Sequence, residues 1–549
     1  MFKRNPAGKQ FSLTDPYLHY PQYVREALHN SWAEPFSKTI FSKIDEARFA
    51  PLYSDNYSRP NAPVNILVGL LILKELNGWS DEETIAALYF DYRVQYALCI
   101  SDFDKERICL NTLGNFRSRL YRYAQEHGRD LLAEEVAGIT AALVEVTGMD
   151  TSLVRQDSMM ISANAKKMGR LELIYTVNAN MVKVFLEHQP ELLPECCRHY
   201  GQEKDKADQI YRLKKEEVEP KTKQLLTESL ELYRKTPEEL KQTEAYRLLE
   251  RLIAEQTDDD HSPKANKDIP AKSLQNPSEP EATYRQKGHK SYTGYVLNLA
   301  EARDNNKGLS MVIHYELEPN VVSDGELGLN TLEKLKPGQT LVSDGAFYLQ
   351  EIAEKAEEMD IELSFSALNG RPAPEDKLGA DRFVINPETE LITTCPGGAA
   401  PLSAERDRDK GLYKAKFAKE DCTACPLKEN CIIKEQVRNN TITITDKKLT
   451  ADIYRTRHGT PEHQALADFR AGVEGVPSVL RRVYRVDELP VRGLIRARIW
   501  DGFKVMAYNF RSYYSYLKRK GASTLSLSYF FRLLSRFFRF RLAAACYEK

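Results

Sequence analysis

The sequence contains no apolar stretch approaching the roughly 20 residues that span a bilayer; its longest apolar run covers only residues 64–73. The opening MFKRNPAGKQ lacks the apolar core of a secretory signal, so a reducing, cytoplasmic setting is expected. Nine cysteines in 549 residues do not make a disulfide framework in such a compartment, and a cluster among them reads as a metal site or as nothing. No glycine-rich phosphate loop is present, so ATP is not implied. Net charge is nearly absent too, at −1, and by itself names no partner.

What remains is an ordinary globular composition, 42% hydrophobic and 29% charged. That length suits about three or four domains with a sizeable core. The charge is unevenly placed. Residues 451–549 hold 19 Lys and Arg against 8 Asp and Glu, on a chain that is otherwise acidic. A basic C-terminal fifth is the footprint of a polyanion-binding surface; a solvated basic face is the alternative.

Residues 1–145 read as helical. Pro63 precedes the apolar run, and Ser80 to Glu83 (SDEE) form a capping box. Beyond Asn111 and Thr112, Leu113, Phe116, Leu120 and Tyr123 share a stripe while Arg117, Arg119 and Arg122 point elsewhere. This pattern fits a DNA-binding module and equally a plain helical bundle. From 146 the pattern changes. Residues 152–161, 295–303 and 309–317 have the length and residue types of strands, the last two joined by a hairpin turn over 304–308. A helix is expected over 326–336, a short buried strand over 340–343, a helix over 347–359 and a strand over 361–366. Three strands in meander followed by alternating helix and strand predict a mixed α/β sheet.

The sheet-forming segments are 146–170 and 282–366. Between them lies a helical insertion and linker, 171–281, with Ala245, Leu248, Leu249, Leu252 and Ile253 on one helical face. A Cys-rich insertion occupies 367–450, helices return over 451–515, and a basic aromatic tail covers 516–549.

Three acidic residues stand where metal chemistry would need them. Asp157 lies in mid-strand among Val154, Met159 and Ile161, and a carboxylate there needs a partner. Asp344 ends a strand just before Gly345, where an α/β sheet presents ligands. Glu474 sits in FRAGVEGVPSVLRRVYR among basic side chains. Hard oxygen ligands from separate elements suit Mg²⁺ or Mn²⁺, and two such ions support phosphodiester displacement. Arg470 and Arg481 share a face with Glu474 in an unbroken helix, which Pro477 opposes. Arg482 and Arg485 extend a surface fitted to phosphate, with ordinary ion pairing as the alternative.

These residues sit in blocks that resemble one family: NTLGNFRSRL, QDSMMISANAKK, YRQKGHKSYTGYVLNLAEA, LVSDGAFY, FRAGVEGVPSVLRR, PVRGLIRAR and MAYNFR. The chain resembles the DDE-type bacterial insertion-sequence transposases with a ribonuclease-H-like catalytic core, over most of its length outside 180–280. The resemblance implies that Asp157, Asp344 and Glu474 are the metal-binding triad for two Mg²⁺ or Mn²⁺ ions. It implies that Arg470 is the arginine of the Tyr-Arg-Glu-Lys signature, from which the chain departs at Ala467 and Arg481. Double-stranded DNA, as terminal inverted repeats and target, is the implied partner, with no nucleotide cofactor and no membrane. A homodimer in the active DNA complex and a place at the bacterial nucleoid follow in the same way. A metal-dependent nuclease without strand transfer uses the same residues, and a non-catalytic DNA-binding descendant keeps the same scaffold.

Cys395, Cys422, Cys425 and Cys431 are spaced C-x26-C-x2-C-x5-C, which suits a structural zinc or, failing that, small core thiols. Lys287, His289 and Lys290 precede a strand and either touch phosphate or stay solvated. His458 and His463 flank Gly-Thr-Pro-Glu as a metal-capable or an exposed loop pair. Cys99, Cys109, Cys196, Cys197 and Cys546 show no ligand spacing.

Overall fold

A computed structural model describes residues 1–5, 16–54, 56, 60–100, 107–202, 205–366, 368, 377–458 and 460–545, beyond 521 as backbone alone. Cys546 lies outside them. The central sheet is built from β1 (Leu153–Ser162), β2 (Thr283–Lys287), β3 (Lys290–Asp304), β4 (Leu309–Pro319), β5 (Thr340–Ser343) and β6 (Glu362–Phe365). β3 runs antiparallel between β1 and β4, while β1, β5 and β6 are mutually parallel, so the order is β4-β3-β1-β5-β6. β2 folds back on the first residues of β3. The mixed α/β sheet expected from the sequence is therefore present.

Gly294 marks the point on β3 that pairs with both Thr283 of β2 and Ser162 of β1. Its φ is 148°, and a Cβ there would lie 2.3 Å from the Ile161 carbonyl oxygen, so only glycine fits. β2 was not expected, because TYRQK has no apolar alternation to announce a strand. Two helices are shorter than the sequence suggests. The first, Asp324–Leu332, starts early because Ser323 and Glu326 close a capping box, and it stops ahead of Pro337. The second, Gln350–Glu358, starts late because a 3₁₀ turn, Gly345–Phe347, comes first.

Those two helices cover one face of the sheet. On the other face the Pro461–Ala471 helix lies over β1, β5 and β6, and the long Leu494–Ala545 helix packs on β4. The N-terminal helices Val64–Asn77, Leu110–His127 and Leu131–Thr147 pack against that long helix and share one continuous core with the sheet. Residues 64–75 are buried all round, which explains an apolar run without a polar stripe. The Ser80–Glu83 capping box forms as expected.

Two further cores stand apart. The insertion is a bundle of Arg170–His188, Val218–Lys235 and Glu244–Gln256, in which Leu249, Leu252 and Ile253 are buried and Ala245 and Leu248 partly so. The Cys-rich segment holds a hairpin, β7 (Val384–Asn386) with β8 (Leu391–Thr394). It also holds a three-stranded sheet of β9 (Ser403–Asp407), β10 (Leu412–Phe417) and β11 (Asn440–Thr445). Among the described residues no helix is long and apolar enough to cross a membrane.

Candidate active site

Strand alternation sends successive side chains of β1 to opposite faces. Gln156 points under the Asp324–Leu332 helix, where its amide donates to Asn298, Thr331 and the Leu327 carbonyl in a buried polar network. Arg155 and Asp157 point the other way, toward the Pro461–Ala471 helix. β5 pairs Val342 with Arg155, so Asp344 emerges level with Asp157. One Asp344 oxygen accepts the Ala346 N–H at 2.8 Å and caps the 3₁₀ turn, which aims the carboxylate. Arg470, in the last helical turn, spans both acids: its Nη2 lies 3.5 Å from Asp157 Oδ1 and 3.3 Å from Asp344 Oδ2. Among the described residues the buried Nε of Arg470 has no hydrogen-bond partner.

Burial holds the Asp157 carboxyl above its ordinary range; Asp344 pushes the same way, and Arg470 and Lys287 oppose it. Two carboxylates sharing one guanidinium are a donor set that further positive charge would relieve, which fits a hard divalent cation. Asp157 and Asp344 would hold it. A raised carboxyl value contributes stability below the usual carboxylate range and loses it as pH rises through the folded value. Asp157→Asn should therefore raise the melting temperature by about 1–2 °C at neutral pH. The gain should vanish below about pH 4, where the carboxyl is protonated in both states. Calorimetry at the two pH values checks this.

Glu474 is reached differently from the expected helix face. The helix stops at Ala471, a 3₁₀ turn Gly472–Glu474 follows, and a second helix, Gly475–Arg482, takes Pro477 into its first turn, where a missing N–H costs nothing. Arg470, Glu474 and Arg481 are thus divided over two helices and a turn. The turn packs on β1, with Gly472 against the Arg155 guanidinium and Val473 buried, while Glu474 is exposed and makes no hydrogen bond or ion pair among the described residues. The structure gathers Asp157, Asp344 and Arg470, and leaves Glu474 on the exposed turn that follows, with no hydrogen bond or ion pair to either aspartate among the described residues.

Of the remaining cations, Lys287 acts on the Asp157 carboxylate and Arg481 reaches β1. Arg481 Nη2 donates to the Met160 carbonyl of β1 at 3.2 Å, and its Nε is 3.6 Å from Asp487. Arg482 is exposed. Arg485 has a positive φ of 49° and lies 3.8 Å from Glu488. Lys287 and Lys290 are exposed at the β2–β3 turn, with His289 between them. Sequence reasoning missed Arg155 and Glu301, whose signal was two charges at core positions of otherwise apolar strands.

The four cysteines meet. Cys395 follows β8, Cys422 and Cys425 lie at a short helix, Lys419–Thr423, and all four line one cavity of about 50 Å³. A Cβ on Gly397 would fall 2.6 Å from Cys425 Sγ and 3.7 Å from Cys395 Sγ, so glycine leaves room for the two sulfurs to converge. Burial pushes the Cys431 thiol up, and the other three thiols add to it. Among the described residues no group of three His, Cys, Asp or Glu side chains is preassembled as a metal site. His458 and His463 have ring centroids 4.4 Å apart. His463 is not the exposed loop residue anticipated: it is buried, and its Nε2 donates to the Phe365 carbonyl at 2.9 Å.

Two family descriptions match the chain, Transposase DDE domain over residues 394–514 and Transposase domain (DUF772) over residues 26–119. The first takes in the four cysteines, Arg470 and Glu474, and the second most of the N-terminal helices; Asp157 and Asp344 lie in neither. No curated protein and no solved structure matches the chain.

Proposed function

With two transposase domains supporting its place among the DDE-type insertion-sequence transposases, we propose that this protein cuts the ends of a mobile DNA element. It then joins the freed 3′ hydroxyls to target DNA. The observation that carries the reading is the shared guanidinium: Arg470 holds Asp157 and Asp344 side by side, with the Glu474 turn packed on the same strand. The antiparallel β1-β3-β4 set continued by parallel β5 and β6 supports a ribonuclease-H-like core.

Asp157, Asp344 and Glu474 would hold two Mg²⁺ or Mn²⁺ ions. Metal bound there would supply activation of the attacking oxygen and stabilisation of the leaving oxygen in an in-line displacement. Arg470 carries a buried Nε, without a partner among the described residues, suited to a phosphate oxygen once the carboxylates are otherwise neutralised. Arg481, Arg482, Arg485, Lys287 and Lys290 would position the strand through its backbone, without reading sequence. The N-terminal helices would add DNA contacts, a homodimer would join two ends, and the cysteine tetrad would hold a structural zinc. The setting would be the cytoplasm, at the nucleoid.

The test offers the protein pre-cut terminal-repeat DNA, Mg²⁺ and a supercoiled target. Covalent joining of repeat ends to the target is the expected result. Hydrolysis without joining would leave the nuclease reading, and binding without either reaction would leave the non-catalytic one.

A further inference from the structure

Asp157 is not the only charged residue on its face of β1. Arg155, two positions earlier and 3% exposed, donates through Nε to Glu301 Oε2 at 2.6 Å across the sheet. Glu301 is 1% exposed. Removing two charges from water is costly, and packing alone would be served as well by aliphatic residues. The rest of the guanidinium shows a use for the charge. Nη1 donates to the Phe469 carbonyl at 2.8 Å, and the guanidinium carbon lies 5.2 Å from the centre of the Phe469 ring. Phe469 immediately precedes Arg470, and its carbonyl is one of the last four of the Pro461–Ala471 helix, which lack partners within the helix. A buried cation capping a helix C-terminus also meets the negative end of the helix dipole.

Gly472 completes the arrangement. Its φ of −65° is ordinary helical backbone, so conformational freedom does not explain the glycine. A Cβ at that position would lie 2.4 Å from Arg155 Nη1, so close approach does. Arg155 cannot swing away cheaply, being held by Glu301 and by Phe469. Tyr508, on the long helix, stands behind the pair with its hydroxyl 3.4 Å from Glu301 Oε1.

We propose that Arg155 is a positioning residue: by capping the helix from β1, it sets where Arg470 and Glu474 stand relative to Asp157. The inference rests on reading Asp157, Asp344 and Glu474 as the catalytic centre. One side chain thereby ties the strand bearing the first acid to the turn bearing the third, and displacement of about 1 Å at such a site costs on the order of 10²-fold in rate.

Two substitutions test it without leaving a buried charge unpaired. Gly472→Ala keeps every charge but drives the turn and Arg155 apart. Arg155→Lys keeps the cation for Glu301 and loses the planar fork. Each is expected to bind terminal-repeat DNA as wild type does, with KM for DNA unchanged and kcat for cleavage lowered about 10²-fold. Mn²⁺ binding to the protein–DNA complex, followed through the paramagnetic signal of the free ion, should weaken about tenfold or more. The double variant should fall little further than either single one, since both break the same link. Wild-type cleavage and Mn²⁺ affinity in Gly472→Ala would overturn the proposal. So would a parallel loss of thermal stability and DNA binding with unaltered Mn²⁺ affinity, the mark of a merely structural role. A wild-type protein that neither binds Mn²⁺ nor cleaves would instead overturn the catalytic centre itself.

Discussion

Replacing Asp344 by asparagine is expected to abolish metal-dependent strand cleavage, by at least about 10³-fold, while DNA binding is retained or tightened. Asparagine is the informative choice. Its amide oxygen can still accept the Ala346 N–H, so the 3₁₀ turn keeps its cap and a folding defect does not intrude. What disappears is the negative charge facing Arg470 and Asp157. A hard cation held there would lose one anionic oxygen donor, and Arg470 would keep Asp157 as its carboxylate partner among the described residues. Losing a negative charge beside a bound phosphate backbone can only favour association, so a gel shift with terminal-repeat DNA should persist. Cleavage within tenfold of wild type would remove Asp344 from the chemistry and with it the proposed function.

Replacing Cys425 by serine should have the largest effect on stability. The Cys-rich segment closes over a core of eight buried residues, among them Phe383, Phe417 and Ile444, which is little for a unit of its own. Structural zinc contributes about 10–16 kcal/mol to folding in small modules, so its loss should unfold the segment. Zinc measured by plasma emission should fall from about one ion per chain to none, and limited proteolysis should cut between β7 and β11. Because β11 leads through the Asp446–Arg457 helix into the helix carrying Arg470, cleavage should fall as well. A wild-type protein purified without chelator and free of zinc would return the four thiols to the role of small core groups.

Much of the central sheet is legible in the sequence. β1, β3, β4, β5 and β6 each fall within a few residues of the segments picked out by length, residue type and turn chemistry, since a strand of β-branched and long apolar residues bounded by DNNKG or DG has few other choices. β2 escaped because TYRQK owes its strand state to Gly294 and the partner it offers, not to its own pattern. The helix boundaries moved for local reasons of the same kind, a capping serine in one case and an aspartate-capped turn in the other.

Asp157 and Asp344 could be chosen from the chain because each is a carboxylate at a place where a strand either should be apolar or has just ended. That they meet across one guanidinium is a matter of register: the pairing of Arg155 with Val342 puts them level, and no local pattern encodes a pairing between positions so far apart. The Glu474 turn shows the same division. Pro477 warned of a broken helix, but where the break would fall depends on the turn packing on β1 and on Arg155 reaching the Phe469 carbonyl. Residue types, periods and spacings, all short-range properties, settled the kinds of element and the chemistry available to them. Long-range packing settled which charges share a pocket, because burial and Coulomb energy depend on distances that exist only once the chain has closed on itself.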